Sequence, residues 1–193
     1  YWDNLREDLD EGGRAWFAAQ NLAINTSRQG SKDEKIQIDT CSKLAKKFDI
    51  DIKKLNISDS IPTINGQILS RKEIKTKKIK HNLKSFDGEI RGKMKGFISS
   101  KISFGNGGHQ DNVFAEQNRY GDWWILNIND KNNKLVLLID TDKKNQITIL
   151  KEKFNNVNNI LVCNHIEFQQ YIIDTYSMDE NNCIEEKDHL EKK

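Results

Sequence analysis

The stretch Lys134-Leu-Val-Leu-Leu-Ile-Asp-Thr-Asp142 contains the longest uninterrupted apolar run of the chain, from Leu135 to Ile139. Such a run, with polar residues at both ends, is typical of a strand that is buried on both faces of a sheet. The sequence Asn159-Ile-Leu-Val-Cys-Asn164 repeats the pattern, and residues 146–154 between the two predict a short helix. A strand, a helix and a second buried strand in this order favour two parallel strands.

Upstream of this unit, the sequence predicts an antiparallel hairpin. Residues 85–91 lead into a Gly92-Lys-Met-Lys95 turn, and residues 96–104 have the composition of a strand. Asp111 or Asn112 then caps a helix that runs to about residue 125, and a last helix spans residues 165–176. The predicted fold is α/β, with a mixed central sheet flanked by helices, antiparallel at its start and parallel at its end.

A single domain is predicted for the 193 residues. Residues 1–30 form an N-terminal helical segment, residues 31–176 the core, and residues 177–193 an acidic tail. Ser31 is expected to cap a helix, with Glu34 three residues later completing a capping box.

The net charge is only +2, but the middle of the chain is strongly basic. Residues 71–84 read RKEIKTKKIKHNLK, with seven Lys or Arg residues against one Glu. A clustered basic segment attracts phosphates, so nucleic acid is one expected partner and a solvated surface is the alternative. No apolar run approaches the length of a membrane-spanning helix, the first residues have no secretory signal, and the three cysteines lack a CxxC motif, so a cytoplasmic location is expected.

The predicted hairpin brings an acid and a base together. Asp87 lies on its first strand and Lys101 on its second, fourteen residues later, so they are neighbours if the chain turns near Lys93. Hydrolysis of a phosphodiester needs oxygen ligands that hold Mg²⁺ beside the scissile phosphate, and a nearby cation that stabilises the developing charge. The hairpin therefore carries part of a candidate nuclease site.

Residues 31–176 resemble the PD-(D/E)XK nuclease superfamily, and specifically its type II restriction endonucleases. Phe86-Asp87 stands in the place of the family's Pro-Asp, and Ser99-Ser100-Lys101 in the place of its acid-x-Lys. The resemblance implies a restriction-endonuclease-like fold, Mg²⁺ as cofactor and sequence-specific cleavage of double-stranded DNA by a metal-activated water. It also implies a two-fold symmetric homodimer, with one active site for each strand.

Ser99 departs from the family pattern, because it occupies the position of the second carboxylate. Some restriction enzymes of the superfamily have Ser-x-Lys and carry the acid on the following helix. Glu116, fifteen residues beyond Lys101, fits that arrangement, and Asp111, ten residues beyond, is the second candidate. The resemblance thus implies metal ligands among Asp87, Glu116 and Asp111, with Lys101 and Ser99 completing the catalytic set. Glu34 is a further candidate acid, although a capping role is favoured.

The glycine-rich stretch 105–112 carries amides that can pair with adenine in the major groove, as well as groups that can contact phosphate. A capped turn with solvated side chains is the alternative. Together with the basic segment, this stretch supplies the candidate DNA-binding residues: Asn106, His109, Gln110, Asn112, Arg119, Lys75, Lys77, Lys78, Lys80 and Lys84.

Two other functions remain open at this point. A DNA-binding module without catalysis would use the same basic residues and treat Ser99 as a lost acid. A Toprim-like metal-dependent nuclease would use Asp140 and Asp142 at the end of the apolar strand, although no convincing glutamate accompanies them. Nor does the sequence separate a restriction enzyme from a repair or junction-resolving nuclease.

Overall fold

The computed structural model describes residues 26–103 and 110–177. The predicted acidic tail after residue 177 and most of the predicted N-terminal segment therefore lie outside the described residues. Within them, the elements in chain order are α1 (Thr26–Ala45), a 3-10 turn (Lys46–Phe48), β1 (Ile50–Lys54), β2 (Ile61–Pro62), β3 (Ile68–Leu69), α2 (Arg71–Lys77), β4 (Gly88–Gly92), β5 (Lys95–Ser103), α3 (Gln110–Asn127), β6 (Asn133–Thr141), α4 (Lys144–Phe154), β7 (Ile160–Cys163) and α5 (His165–Tyr176).

Five of these strands form one mixed sheet in the order β1-β4-β5-β6-β7. Strands β1, β4 and β5 pair antiparallel, whereas β5, β6 and β7 pair parallel. The prediction of an α/β fold with a mixed central sheet, antiparallel at its start and parallel at its end, is confirmed. Strand β1 was not predicted, because its short alternation of isoleucine with charged residues is a weak local signal.

Strand β6 divides the apolar core into two layers, because successive side chains of a strand point to opposite faces. Val136 and Leu138 face a layer that α1 and α5 complete. Leu135, Leu137 and Ile139 face the other layer, which α3 and α4 complete. All five side chains are fully buried, as expected for the strand with the longest apolar run.

Helix α1 begins earlier than the sequence predicts. It starts at Thr26 and runs through Ser31, so the expected capping box between Ser31 and Glu34 is wrong. Glu34 lies in the interior of the helix, where its side chain is free to serve another contact. Ile38, Cys41 and Ala45, spaced three and four residues apart, bury the face of α1 that packs on the sheet.

The predicted hairpin is confirmed, and its register fixes the neighbours of Asp87. Gly92 begins the turn with a φ of 99°, where a Cβ atom would collide with the carbonyl of Asp49. Pairing of β4 with β5 ends at Gly88 and Ile98, but β5 continues to Ser103. Past Ile98, therefore, β5 keeps its pairing to β6 while its other edge is no longer paired with β4.

The helices of the described residues include none that is both long and apolar enough to span a bilayer.

Replacing Gly121 by Ala is expected to destabilise the protein, although alanine normally favours a helix over glycine. The added methyl group would overlap the ring of Phe154, which is buried where α4 crosses α3. We expect the free energy of unfolding in urea to fall by roughly 1–3 kcal/mol. The control is Ala115→Gly at an exposed position of the same helix, where the loss should be about 1 kcal/mol. Unchanged or increased stability of Gly121→Ala would contradict the close approach of α3 and α4.

Candidate active site

Asp87 lies where the chain enters β4, between β1 and β5. Its backbone N–H donates to the carbonyl of Ile98 (2.9 Å), and its own carbonyl accepts from the N–H of Leu55 (2.9 Å). Its carboxylate accepts a hydrogen bond from the backbone N–H of Ser100 (2.8 Å), which lies beyond the last pair of β4 and β5. The Asp87 carboxylate thus accepts the Ser100 N–H, which has no backbone partner on β4, and this bond fixes the carboxylate against the edge of β5.

Lys101 brings two acids together at this point. Its Nζ atom lies 3.1 Å from Oε1 of Glu34 and 3.6 Å from Oδ2 of Asp87. The exposed fractions of the three side chains are 16% for Lys101, 20% for Asp87 and 22% for Glu34. One ammonium group and two carboxylates therefore share a largely buried pocket, in which each side chain keeps partial exposure to solvent.

Burial raises the pKa of Asp87 to about 6, because the attraction of Lys101 does not fully offset the loss of water and the repulsion of Glu34. Burial by itself would lower the pKa of Lys101, but the charges of Asp87, Glu34 and Glu116 outweigh it, and the pKa is raised. At neutral pH the pocket therefore holds a protonated lysine beside an Asp87 carboxyl group that is mostly ionised but titrates close to this pH.

Ser99, in the position of the second family acid, is fully buried on the opposite face of β5 from Ser100. Its hydroxyl accepts a hydrogen bond from Nε2 of Gln117 on α3 (2.9 Å). Gln117 is also fully buried, and its Oε1 atom has no hydrogen-bond partner among the described residues. The place of an acid in the family pattern is thus taken by a neutral hydroxyl–amide pair.

Glu116 lies on α3, and its side chain is 12% exposed. Its carboxylate pairs with the Nζ atom of Lys84 at 3.2 Å. Against the effect of burial, its charge contributes to the raised pKa of Lys101, after the larger effects of Asp87 and Glu34. Its charge also contributes to the raised pKa of Tyr120, after burial and the charge of Asp87. Glu116 thus borders the pocket, and its direct contact is with the basic segment. The side chain of Asp111, the other candidate, lies outside the described residues.

The predicted DNA-binding residues fall into three groups. Lys75 and Lys77 on α2, and the following Lys78, Lys80 and Lys84, are all exposed. Asn112 and Arg119 are exposed on α3, whose first turn includes part of the stretch predicted as a loop. Asn106, His109 and the side chain of Gln110 lie outside the described residues.

Tyr120 fastens the basic segment beside the pocket. Its hydroxyl donates to the carbonyl of Lys84 (3.0 Å) and lies 3.3 Å from the carbonyl of Ser85. The chain then continues through the buried Phe86 to Asp87. The exposed lysines therefore lead directly to the candidate site along the chain.

Glu34 and Gln37 are the site residues that sequence reasoning undervalued or missed. The sequence favours a capping role for Glu34, whereas its carboxylate contacts Lys101, which lies 67 residues away along the chain. Gln37, three residues later on the same face of α1, contacts Ser100 and Asp140. The helical spacing of Glu34, Gln37 and the buried Ile38 is the signal that places these polar groups at the edge of a packed face.

Comparison of the chain with protein-family models, with curated proteins and with solved structures finds no match.

Substitution of Asp87 by Asn is expected to stabilise the protein increasingly as the pH rises. The carboxyl pKa is 3.8 in the unfolded reference and about 6 in the folded protein, so the folded state binds the extra proton between these values. The free energy of unfolding of the wild type therefore falls by roughly 1–3 kcal/mol as the pH rises from about 4 to about 6. The Asp87→Asn variant has no carboxyl group at this position, so its stability does not fall for this reason. Urea unfolding at pH 4.5 and 7.5 measures the effect.

The matched control for this prediction is Asp122→Asn, at a half-exposed carboxylate that pairs with Lys153 on the α3–α4 surface. Its stability relative to wild type should not increase over the same pH range. A stability difference for Asp87→Asn that stays constant or shrinks with rising pH would contradict the burial of an ionised Asp87.

Proposed function

We propose that this protein is a Mg²⁺-dependent nuclease that cleaves double-stranded DNA, with the character of a type II restriction endonuclease of the PD-(D/E)XK superfamily. The observation that carries the proposal is the convergence of the carboxylates of Glu34 and Asp87 on the ammonium group of Lys101. A largely buried group of this composition is unfavourable unless it is compensated, and it is typical of sites that bind a cation and a phosphate.

The donors available in the pocket are of the kind that Mg²⁺ prefers. Carboxylate oxygens are hard ligands, and Asp87 is held rigidly by the N–H of Ser100. Among the residues whose side chains are described, 32–103 and 112–177, no three acidic, histidine or cysteine side chains are spaced to enclose an ion. Mg²⁺ commonly uses one or two carboxylates and completes its shell with water and phosphate, so Asp87 with Glu34 or Glu116 would suffice.

The chain's own residues would act in distinct ways. Bound Mg²⁺ would supply Lewis acidity and lower the pKa of a water molecule. Lys101, kept protonated by its acidic neighbours, would stabilise the negative charge that develops on the phosphate and orient the attacking water. Its raised pKa favours this role over that of a general base. Ser99 would contribute a neutral hydroxyl in place of the second acid.

The exposed lysines of α2 and the following segment would bind the DNA backbone and direct it toward Asp87. Phosphate contacts of this kind position the duplex without reading its sequence. Sequence readout would fall to Asn112, Arg119 and the residues that precede α3. Cleavage of both strands at a palindrome requires two symmetric sites, so we propose a homodimer.

A DNA-binding module without catalysis is the second candidate. The observation that favours it is the neutral contact of Ser99 with Gln117 where the family pattern has an acid. A Toprim-like site at Asp140 and Asp142 has less support, because the carboxylate of Asp140 is already held by Gln37 and His165.

The nuclease proposal predicts Mg²⁺-dependent cutting of plasmid DNA that EDTA abolishes. Lys101→Met should lower the rate by about 10²-fold or more, because it removes a cation aimed at the developing charge. Glu34→Gln should lower the rate as well, because it removes one of the two carboxylates that surround Lys101. The control is Lys151→Met, at a lysine that pairs with Glu167 beside the edge strand β7.

Two results would contradict the nuclease proposal. One is plasmid left intact by the wild-type protein in Mg²⁺ and in Mn²⁺. The other is cutting that Lys101→Met leaves at the wild-type rate, since this would point to a contaminating nuclease. Salt-dependent DNA binding together with intact plasmid would support the second candidate.

DNA binding itself should depend on the basic segment. Replacement of Lys75, Lys77, Lys78 and Lys80 by Gln is expected to weaken binding to duplex DNA, measured by fluorescence anisotropy in EDTA. The salt dependence of the logarithm of the affinity should fall by about one unit for each lysine that contacts a phosphate. The control set with the same charge change lies at the hairpin-turn end of the sheet: Lys43, Lys46, Lys47 and Lys95. Equal losses for the two sets would show that net charge alone governs binding.

A further inference from the structure

A second side chain of α1 reaches the sheet one turn after Glu34. Gln37 is only 5% exposed, and both polar atoms of its side chain have protein partners. Its Nε2 atom donates to Oδ2 of Asp140 on β6 (2.7 Å), and its Oε1 atom accepts a hydrogen bond from the hydroxyl of Ser100 on β5. Gln37 thus joins one helix to two adjacent strands through a buried amide.

Both partners of Gln37 are themselves held in place. Ser100 is fully buried, and its backbone N–H donates to the carboxylate of Asp87. Asp140 accepts from the backbone N–H of His165 (3.2 Å), and its Oδ2 atom lies 2.8 Å from Nδ1 of the same histidine. A continuous hydrogen-bond network therefore runs from Asp87, through β5, α1 and β6, to the first residue of α5.

This network controls the distance between α1 and β5 at the level of the candidate site. Consecutive residues of β5 contact α1, Ser100 through Gln37 and Lys101 through Glu34. Glu34 and Gln37 are three residues apart, so they lie on one face of the helix and move together. A shift of α1 that breaks the contact of Gln37 also displaces Glu34 from Lys101.

We propose that Gln37 is a positioning residue, which sets the geometry in which Glu34, Asp87 and Lys101 meet by fastening α1 to Ser100 and Asp140. This inference rests on the proposed nuclease function. Catalytic groups act only within narrow limits of distance and angle, so an anchor this close to the pocket affects the reaction and not merely the stability.

The decisive experiment exchanges donor and acceptor. Gln37→Glu alone places two carboxylates against each other. Asp140→Asn alone leaves one acceptor oxygen where the wild type has two, so it cannot accept from both Gln37 and the backbone N–H of His165. In the double variant Gln37→Glu/Asp140→Asn, the new carboxylate accepts both the Ser100 hydroxyl and the new amide, while the net charge is unchanged. The kcat for cleavage and the KM for DNA are measured well below the thermal midpoint of each variant.

We expect each single variant, and Gln37→Leu, to lower kcat by about 10-fold or more while KM for DNA stays within about twofold. The double variant should recover most of this loss, because the coupling of the two residues is then restored. Ser100→Ala, which removes only a hydroxyl, should lower kcat in the same way without a large change in packing. Gln170→Leu, at an exposed position of α5, is the control and should leave kcat unchanged.

The outcomes separate the two proposals. A wild-type protein that does not cut DNA in Mg²⁺ overturns the nuclease function and this inference with it. A wild-type protein that cuts, together with folded Gln37→Leu and Ser100→Ala variants that cut at the same rate, overturns the positioning role alone. A double variant that regains thermal stability but not kcat also overturns it, because Gln37 would then serve only folding.

Discussion

The burial of two carboxylates around one ammonium group is the constraint on which the candidate site depends. Each charge loses water, and the attraction between them offsets this loss only when additional hydrogen bonds hold the groups in place. The N–H of Ser100 supplies such a bond to Asp87, and it is available because β4 ends while β5 continues. An uneven sheet edge therefore creates both the opening and the donor that keeps the acid in it.

Three consecutive residues of β5 contact different partners, and this follows in part from the alternation of side chains along a strand. Ser99 points toward α3 and accepts from Gln117, whereas Ser100 points toward α1 and bonds to Gln37. Lys101 shares the face of Ser99, but its long side chain reaches the end of the sheet, where Glu34 and Asp87 meet it. The strand thus connects both helical layers to the site without any irregular backbone.

The chemistry of the pocket supports the proposed nuclease function independently of any related protein. A lysine that remains protonated, an acid whose pKa of about 6 lets a cation displace its proton near neutral pH, and an adjacent run of exposed lysines suit a phosphodiester substrate. The raised pKa of Asp87 also means that the folded protein carries an electrostatic penalty at neutral pH. Penalties of this kind are common at sites that are arranged for binding and catalysis.

The sequence by itself determined strands β4 to β7, the mixed character of their sheet and the proximity of Asp87 to Lys101. These features depend on local periodicity and on a short hairpin turn, whose register follows from the residues that form it. Only the tertiary structure decided that Glu34 and Gln37 enter the site, that Glu116 pairs with Lys84, and that Ser99 faces Gln117. These contacts span from 18 to 67 residues and depend on how helices rotate and pack on the sheet. Local patterns identify the buried face of a helix, but they do not specify which strand residue each of its polar side chains will meet.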